Sequence, residues 1–295
     1  MPIKSALERL DPAILATSKA LIQSQGFDFS TVSAAEMREM VKGMIRAEPF
    51  PVQGMANVRD ATLDSSAGPL SIRIYTPTGK GPFPIVMYFH GGGWVAGDLD
   101  TQDTTCRLLC GYSGSVVVSV AYRLAPEHPF PAAIEDCYTA TTWIARHPNF
   151  VNGEASRLAV SGESAGANLA AAVSLMARDR GGPAIRHQIL MYGGFQWESW
   201  FAPPDYLGGG QNTSNPYLSP LSAQSLRALP PAVIVVGDQD PLMAQSIAYA
   251  LRLCESGIET HYLCYPGMHH GFMSDPESEH CLAVIGKIAS LLKAT

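Results

Sequence analysis

The sequence predicts an α/β fold: a buried, mostly parallel sheet with helices on both faces. Two observations carry this. From residue 84 onward, short continuous apolar runs recur at 85–89, 116–121, 158–160, 189–192, 233–236 and 262–265. Strands apolar on both faces belong in a sheet covered on both sides. The spacers between them, such as 131–147, 165–180 and 243–256, have helix length, as crossovers between parallel strands require. The chain of 295 residues suits one large unit with a small addition, and a core of that size needs no disulfide staples.

The elements follow in order. Asp11-Pro12 reads as an N-cap followed by a first-turn proline, with Ile14, Leu15, Leu21 and Ile22 on one face and Gly26 as the stop. A second helix starts after Ser33, whose spacing to Glu36 fits a capping box, and runs to about residue 46, before Pro51. Leu70, Ile72 and Ile74 alternate with polar neighbours, as in a half-buried strand. The strand–helix alternation then continues to the end, except at 195–222. That stretch is rich in aromatics, glycine and proline and has no clear period. A loop of this length reads as a lid or an irregular excursion, and Trp197, Trp200, Phe201 and Tyr206 suit something packed over a pocket.

Composition excludes several classes. The formal charge of −6, with scattered lysines and arginines, argues against nucleic-acid and acidic-membrane partners. The apolar runs are too short to cross a bilayer, and the N-terminus has charges where a secretory signal has its apolar core. A cytoplasmic protein is the expectation. The six cysteines (Cys106, Cys110, Cys137, Cys254, Cys264, Cys281) form no disulfide framework and no Cys-x-x-Cys pair. Cys106 and Cys110 lie four apart, on one helix face, but no histidine or second pair completes a metal site. They read as reduced core cysteines.

The chemistry lies in four loops. The run at 158–160 leads into Gly162-Glu163-Ser164-Ala165-Gly166, followed by an alanine-rich segment. Gly-x-Ser-x-Gly between strand and helix is the setting of a nucleophilic serine, although an N-cap serine flanked by glycines looks the same locally. Glycines two positions away remove side chains that would collide at such a turn, and the helix N-terminus aims amides at developing negative charge. The run at 85–89 ends in His90-Gly91-Gly92-Gly93-Trp94. Such glycines let backbone amides approach an oxyanion, each donor worth roughly 3 kcal/mol. No Walker lysine or Gly-x-Gly-x-x-Gly spacing favours a phosphate loop instead. Two further loops leave the ends of apolar runs. One carries Asp238 and Asp240, the other His269 and His270. The order Ser, Asp, His is that of α/β-hydrolases. The histidine would act as general base, with an aspartate fixing its tautomer. These loops alone leave open which aspartate and which histidine serve.

Taken together, the motifs resemble the bacterial hormone-sensitive-lipase family of esterases (family IV). They are His90-Gly-Gly-Gly-Trp94, the run from Tyr122 to Ala133 with its Arg123-Leu-Ala-Pro-Glu127, Gly162-Glu-Ser-Ala-Gly166, Asp240-Pro-Leu242, and Tyr265-Pro-Gly-Met268 before His270-Gly-Phe272. The resemblance covers residue 50 to the end. It implies an α/β-hydrolase fold with a mostly parallel eight-stranded sheet and a small helical cap. Residues 1–50 would be cap helices, 51–295 the catalytic domain and 195–222 a shortened cap insertion. It implies Ser164, Asp240 and His270 as the triad and Gly92, Gly93 and Ala165 as oxyanion donors. The 122–133 run would brace the floor of the site. Departures are Glu163 where many members have aspartate, Ala167 for a common glycine, Met243-Ala244-Gln245 where charged residues are frequent, and a short 195–215 segment.

The activity implied is carboxylesterase action on short- to medium-chain esters through an acyl-enzyme, without metal or organic cofactor. Trp94, Phe195 and Trp197 are the pocket candidates. Partners would be a small-molecule ester and, as in relatives, a second copy through an edge strand. An amidase, lactonase or acyltransferase would use the same triad. A ligand-binding scaffold that has lost its histidine is disfavoured by His270, and an interfacially activated lipase by the lack of a basic amphipathic helix.

Overall fold

A computed structural model of the chain describes residues 32–43, 48–197, 204–209 and 212–293, with positions 16, 20 and 21 besides. The helix expected over 11–26 falls outside the described residues apart from those three helical positions, as do Trp200 and Phe201. The elements, numbered among the described residues, are α1 (Ala34–Lys42), β1 (Met55–Ser65), β2 (Gly68–Pro77), β3 (Phe83–Phe89), α2 (Asp103–Ser113), β4 (Val116–Val120) and α3 (Ala132–Arg146). After them come β5 (Gly153–Glu163), α4 (Ala165–Asp179), β6 (His187–Met191), β7 (Ala232–Gln239), α5 (Met243–Glu255), β8 (Thr260–His269) and α6 (Glu279–Lys293).

The eight strands form one sheet in the order β1-β2-β4-β3-β5-β6-β7-β8. β2 runs antiparallel to both its neighbours, β1 and β4, and β3 through β8 are mutually parallel. The chain passes from β3 to β4 on one side, then returns to place β5 on the other. Such a reversal opens a crevice at the carboxyl ends of the two strands, where α/β sheets bind ligands. Here those ends carry His90 and Ser164, and Phe89 pairs directly with Gly162.

Strand alternation splits the core in two. Ile85, Met87, Val118, Val160 and Ile234 face one side, packed with Ile134 of α3, Leu169 of α4 and Leu253 of α5. Val86, Tyr88, Val117, Ile189 and Val235 face the other, packed with Leu109 of α2 and Ile285 and Ile288 of α6. Helix α4 is buried continuously from Ala165 to Ala177, as expected of a helix apolar on all sides.

Three details differ from the sequence expectations. β1, with the sequence MANVRDATLDS, has no apolar run and pairs as a largely exposed hairpin arm. β8 is an edge strand that alternates half-buried and exposed positions, so Tyr262–Tyr265 is not apolar on both faces in its surroundings. Cys106, Cys110, Cys137 and Cys281 are buried as expected, but Cys254 and Cys264 are exposed because they sit on the outer faces of α5 and the edge strand. Among the described residues no helix is long and apolar enough to cross a membrane.

Two peripheral pieces attach over the crevice end of the sheet. α1 begins with the expected capping box between Ser33 and Glu36 and ends at Lys42. Its Arg38 donates to the carbonyls of Val95 and Ala125 at 2.8 and 3.0 Å and to both Glu127 oxygens. The segment after β6 contains two short 3₁₀ turns (Pro204–Leu207 and Pro220–Ser222). Its two ends are tied together: Leu221 N–H donates to the Phe195 carbonyl at 2.8 Å, and Trp197 N–H to Ser219 Oγ at 2.9 Å. Buried Gln245 accepts from the Phe195 and Gln196 amides, and buried Asn168 donates to the Gly194 and Leu218 carbonyls. Each of these amides satisfies backbone groups that would otherwise be lost from water.

Candidate active site

Ser164 sits between the last residue of β5 and the first of α4, with φ 51° and ψ −120°. A non-glycine residue at positive φ is strained and persists only when its surroundings fix it. Here Ser164 N–H donates to the Met191 carbonyl at 2.8 Å, while its own carbonyl accepts from Ala167 and Asn168. The flanking glycines are required by space. A Cβ on Gly166 would collide with the Phe89 carbonyl oxygen, and one on Gly162 with the Gly166 carbonyl oxygen. Gly166→Ala is therefore expected to destabilise the fold by about 1–3 kcal/mol or more, read as a fall in the urea midpoint at unchanged slope. An unchanged midpoint would contradict the packing described.

The loops after β7 and β8 bring an imidazole and a carboxylate to this serine. Ser164 Oγ lies 2.9 Å from His270 Nε2. His270 Nδ1 lies 3.1 and 3.0 Å from the two oxygens of Asp240. Asp240 is fully buried and also accepts the Leu242 amide at 2.8 Å. Burial by itself pulls the His270 imidazole down. The Asp240 charge, the hydrogen bond to it and the Glu163 charge together outweigh burial, so the ring is held above the ordinary histidine value. Asp238 is placed otherwise: its Oδ1 accepts from the Gly267 amide at 2.7 Å and from Gln239. His269 is exposed.

The glycine run after β3 makes a tight turn. Gly92 and Gly93 have φ 113° and 60°, and the Gly92 carbonyl accepts from Val95 and Ala96. The amides of Gly92, Gly93 and Ala165 have no acceptor among the described residues. Ala165 opens α4, so its amide also carries the positive end of the helix dipole. His90 is a brace: its fully buried ring stacks on Tyr122 at 4.1 Å, and burial lowers it to about 4, so it is neutral. Tyr122 donates to the His90 carbonyl at 2.7 Å, and Arg123 makes a two-pronged pair with Asp136. The 122–133 run thus supports the glycine turn from beneath.

Of the pocket candidates Trp94 and Phe195 are both buried in one core cluster, and Trp197 alone is half-buried. Trp94 is stacked on Tyr206 at 4.6 Å, with half-buried Trp197 5.9 Å from it. Phe195 has no exposed surface and stacks on Tyr249 at 4.4 Å, in the core rather than at an opening. Tyr192 is not singled out for the site by the sequence, whereas Tyr206 is one of the aromatics expected to pack over a pocket. Tyr192 merely ends an apolar run, with no signal of a role at the site. Among the described residues no group of His, Cys, Asp and Glu is arranged to hold a metal ion.

Comparison with known proteins bears on the fold and the family. A family model described as alpha/beta hydrolase fold matches residues 86–204 and 197–274. An esterase of Mycobacterium tuberculosis, LipI, is 39% identical over 80% of this chain and 81% of its own. An arylesterase of Saccharolobus solfataricus is 32% identical over 96% and 98%. Among solved structures, an esterase from Pyrobaculum calidifontis superposes with a TM-score of 0.80 at 33% identity, covering 97% of this chain and 98% of that one.

Proposed function

The chain belongs to the alpha/beta hydrolase fold family, in its hormone-sensitive-lipase-like esterase branch, and on that premise we propose that it hydrolyses short- to medium-chain carboxylic esters through an acyl-enzyme on Ser164. The observation that carries the reading is the unbroken relay Asp240–His270–Ser164, with Oγ 2.9 Å from Nε2. His270 takes the Ser164 proton as Oγ attacks the ester carbonyl. The carbonyl oxygen becomes an oxyanion facing the amides of Gly92, Gly93 and Ala165. His270 then gives its proton to the leaving alcohol. In the second half it takes a proton from water, which attacks the acyl group and releases the acid and Ser164. Asp240 orients the ring and stabilises the imidazolium. Every proton moves through side chains of this chain, so neither metal nor organic cofactor enters the scheme.

Trp94 and Trp197, beside the glycine turn, are read as the wall of the substrate pocket, with Phe195 supporting it from the core. Residues 1–50 are read as cap helices over a catalytic domain of 51–295. The anchoring of α1 through Arg38 to the loop following the glycine turn supports this.

A p-nitrophenyl ester series from acetate to palmitate tests the reading. Turnover is expected to peak at short chains. A p-nitrophenyl phosphonate is expected to inactivate the enzyme with one adduct, located on Ser164 by mass spectrometry. No ester turnover beside cleavage of an amide or lactone would move the activity to another bond. An adduct elsewhere would overturn the nucleophile.

A further inference from the structure

Directly before the nucleophile, Glu163 turns its carboxylate into the protein, where it is only 8% exposed. Both of its partners are donors. The Tyr192 hydroxyl donates to Oε2 at 2.6 Å, and the Gly91 amide also stabilises the carboxylate. Burial lifts this carboxyl above the ordinary range, opposed by Tyr192, the His270 charge and Gly91. A pair of donors with a facing imidazole suits the ionised form.

Each partner leads to a working part of the site. Tyr192 is held at φ 40°, with its amide donating to the Val235 carbonyl at 2.6 Å. Its ring meets His270 edge to face at a 5.2 Å centroid distance and 71°. Gly91 immediately precedes the two proposed oxyanion glycines, and a Cβ there would sit 3.1 Å from Glu163 Oε1. So one carboxylate touches the nucleophile turn through its own backbone, the oxyanion turn through Gly91 and the base through Tyr192.

We propose that Glu163 is a positioning residue, a second buried carboxylate behind the nucleophile. Its charge stabilises the His270 imidazolium formed during acyl transfer, and its hydrogen bonds fix the Tyr192 ring against that imidazole and Gly91 beside the oxyanion donors. The inference rests on the triad reading above. The other titratable groups around Glu163 are Tyr88, Tyr122, Tyr192, Cys106 and Cys281. Burial raises all of them, so they stay neutral at working pH. Asp240 is the carboxylate on the other side of the imidazole.

The test is the pH dependence of kcat and kcat/KM with p-nitrophenyl butyrate for the wild type, Glu163→Gln, Glu163→Asp, Tyr192→Phe and Ser164→Ala. The base must be neutral to work, so activity falls as pH drops through the His270 value. Glu163→Gln keeps the volume and an acceptor for Tyr192 but removes the charge. The imidazolium then loses a stabilising anion, and the acid limb moves to lower pH. Its kcat is expected to fall about 10–100-fold with KM little changed, the range typical of residues that support a reacting group. Glu163→Asp restores the limb and part of kcat. Tyr192→Phe removes only the hydroxyl that favours the ionised carboxyl, moving the limb the same way by less. It carries the test where Glu163→Gln does not fold. An unmoved limb in both folded variants, with Ser164→Ala inactive, overturns the inference and leaves the triad standing. A loss of kcat with an unmoved limb and no recovery in Glu163→Asp also overturns it. Retained activity in Ser164→Ala overturns the triad reading itself.

Discussion

Ser164→Ala is expected to lower the turnover of a p-nitrophenyl ester by about 10⁶-fold while the protein remains folded. The size of the loss follows from the chemistry. In the proposed mechanism Oγ is the atom that bonds to the acyl carbon, and without it His270 Nε2, 2.9 Å away, has no proton to take. The backbone has little reason to change. Alanine meets the same positive φ of 51° as serine, and the bonds that fix the turn are main-chain ones to Met191, Ala167 and Asn168. Any residual rate would come from binding and the oxyanion amides. The decisive measurement is kcat for the purified variant beside its thermal midpoint. Near-normal turnover in a folded variant would remove Ser164 from the mechanism.

The second large effect is on the acid. Asp240→Asn is expected to reduce kcat by about 10⁴-fold. The Asp240 oxygens accept from His270 Nδ1 and hold the proton on that nitrogen, leaving Nε2 free to take the serine proton. An asparagine amide offers a donor at the same place. It favours the opposite tautomer, with Nε2 protonated and useless as a base. Asp238→Asn provides the contrast. Asp238 accepts the Gly267 amide and shapes the turn that leads to His270, without reaching the ring itself. Its loss is expected to cost far less than that of Asp240. Measuring both variants with one substrate settles the order, and the reverse ranking would identify Asp238 as the acid.

Much of this site was legible because its parts lie at fixed places on a periodic scaffold. Continuous apolar runs marked β3 through β7. The loops at their carboxyl ends carried glycines, serine, aspartate and histidine in a recognisable order. The choice of Asp240 over Asp238 and of His270 over His269 came from family resemblance. Local sequence offers no reason, since the choice depends on where two loops meet in space. β1 went unread because MANVRDATLDS pairs at an edge and buries little, so no apolar pattern is selected. Phe195, a pocket candidate in the sequence, stacks on Tyr249 and has no exposed surface. An aromatic side chain does not announce which way its backbone turns. The Glu163–Tyr192 contact joins residues from two adjacent strand ends, a relation that no spacing along the chain records.

The closed base of the segment after β6 bears on how such a protein can diversify. Phe195 is bonded to Leu221 and Trp197 to Ser219, while Gln245 and Asn168 hold the same base from the helices below. The chain therefore leaves and re-enters the scaffold through one doorway, whatever lies between. Closing a longer excursion across fixed ends costs only about 0.6 kcal/mol for each doubling of its length. This excursion could therefore be lengthened, trimmed or replaced at small thermodynamic expense. The candidate reacting groups at the ends of β3, β5, β7 and β8 lie outside this excursion, so altering it would change what reaches the site and leave those groups in place.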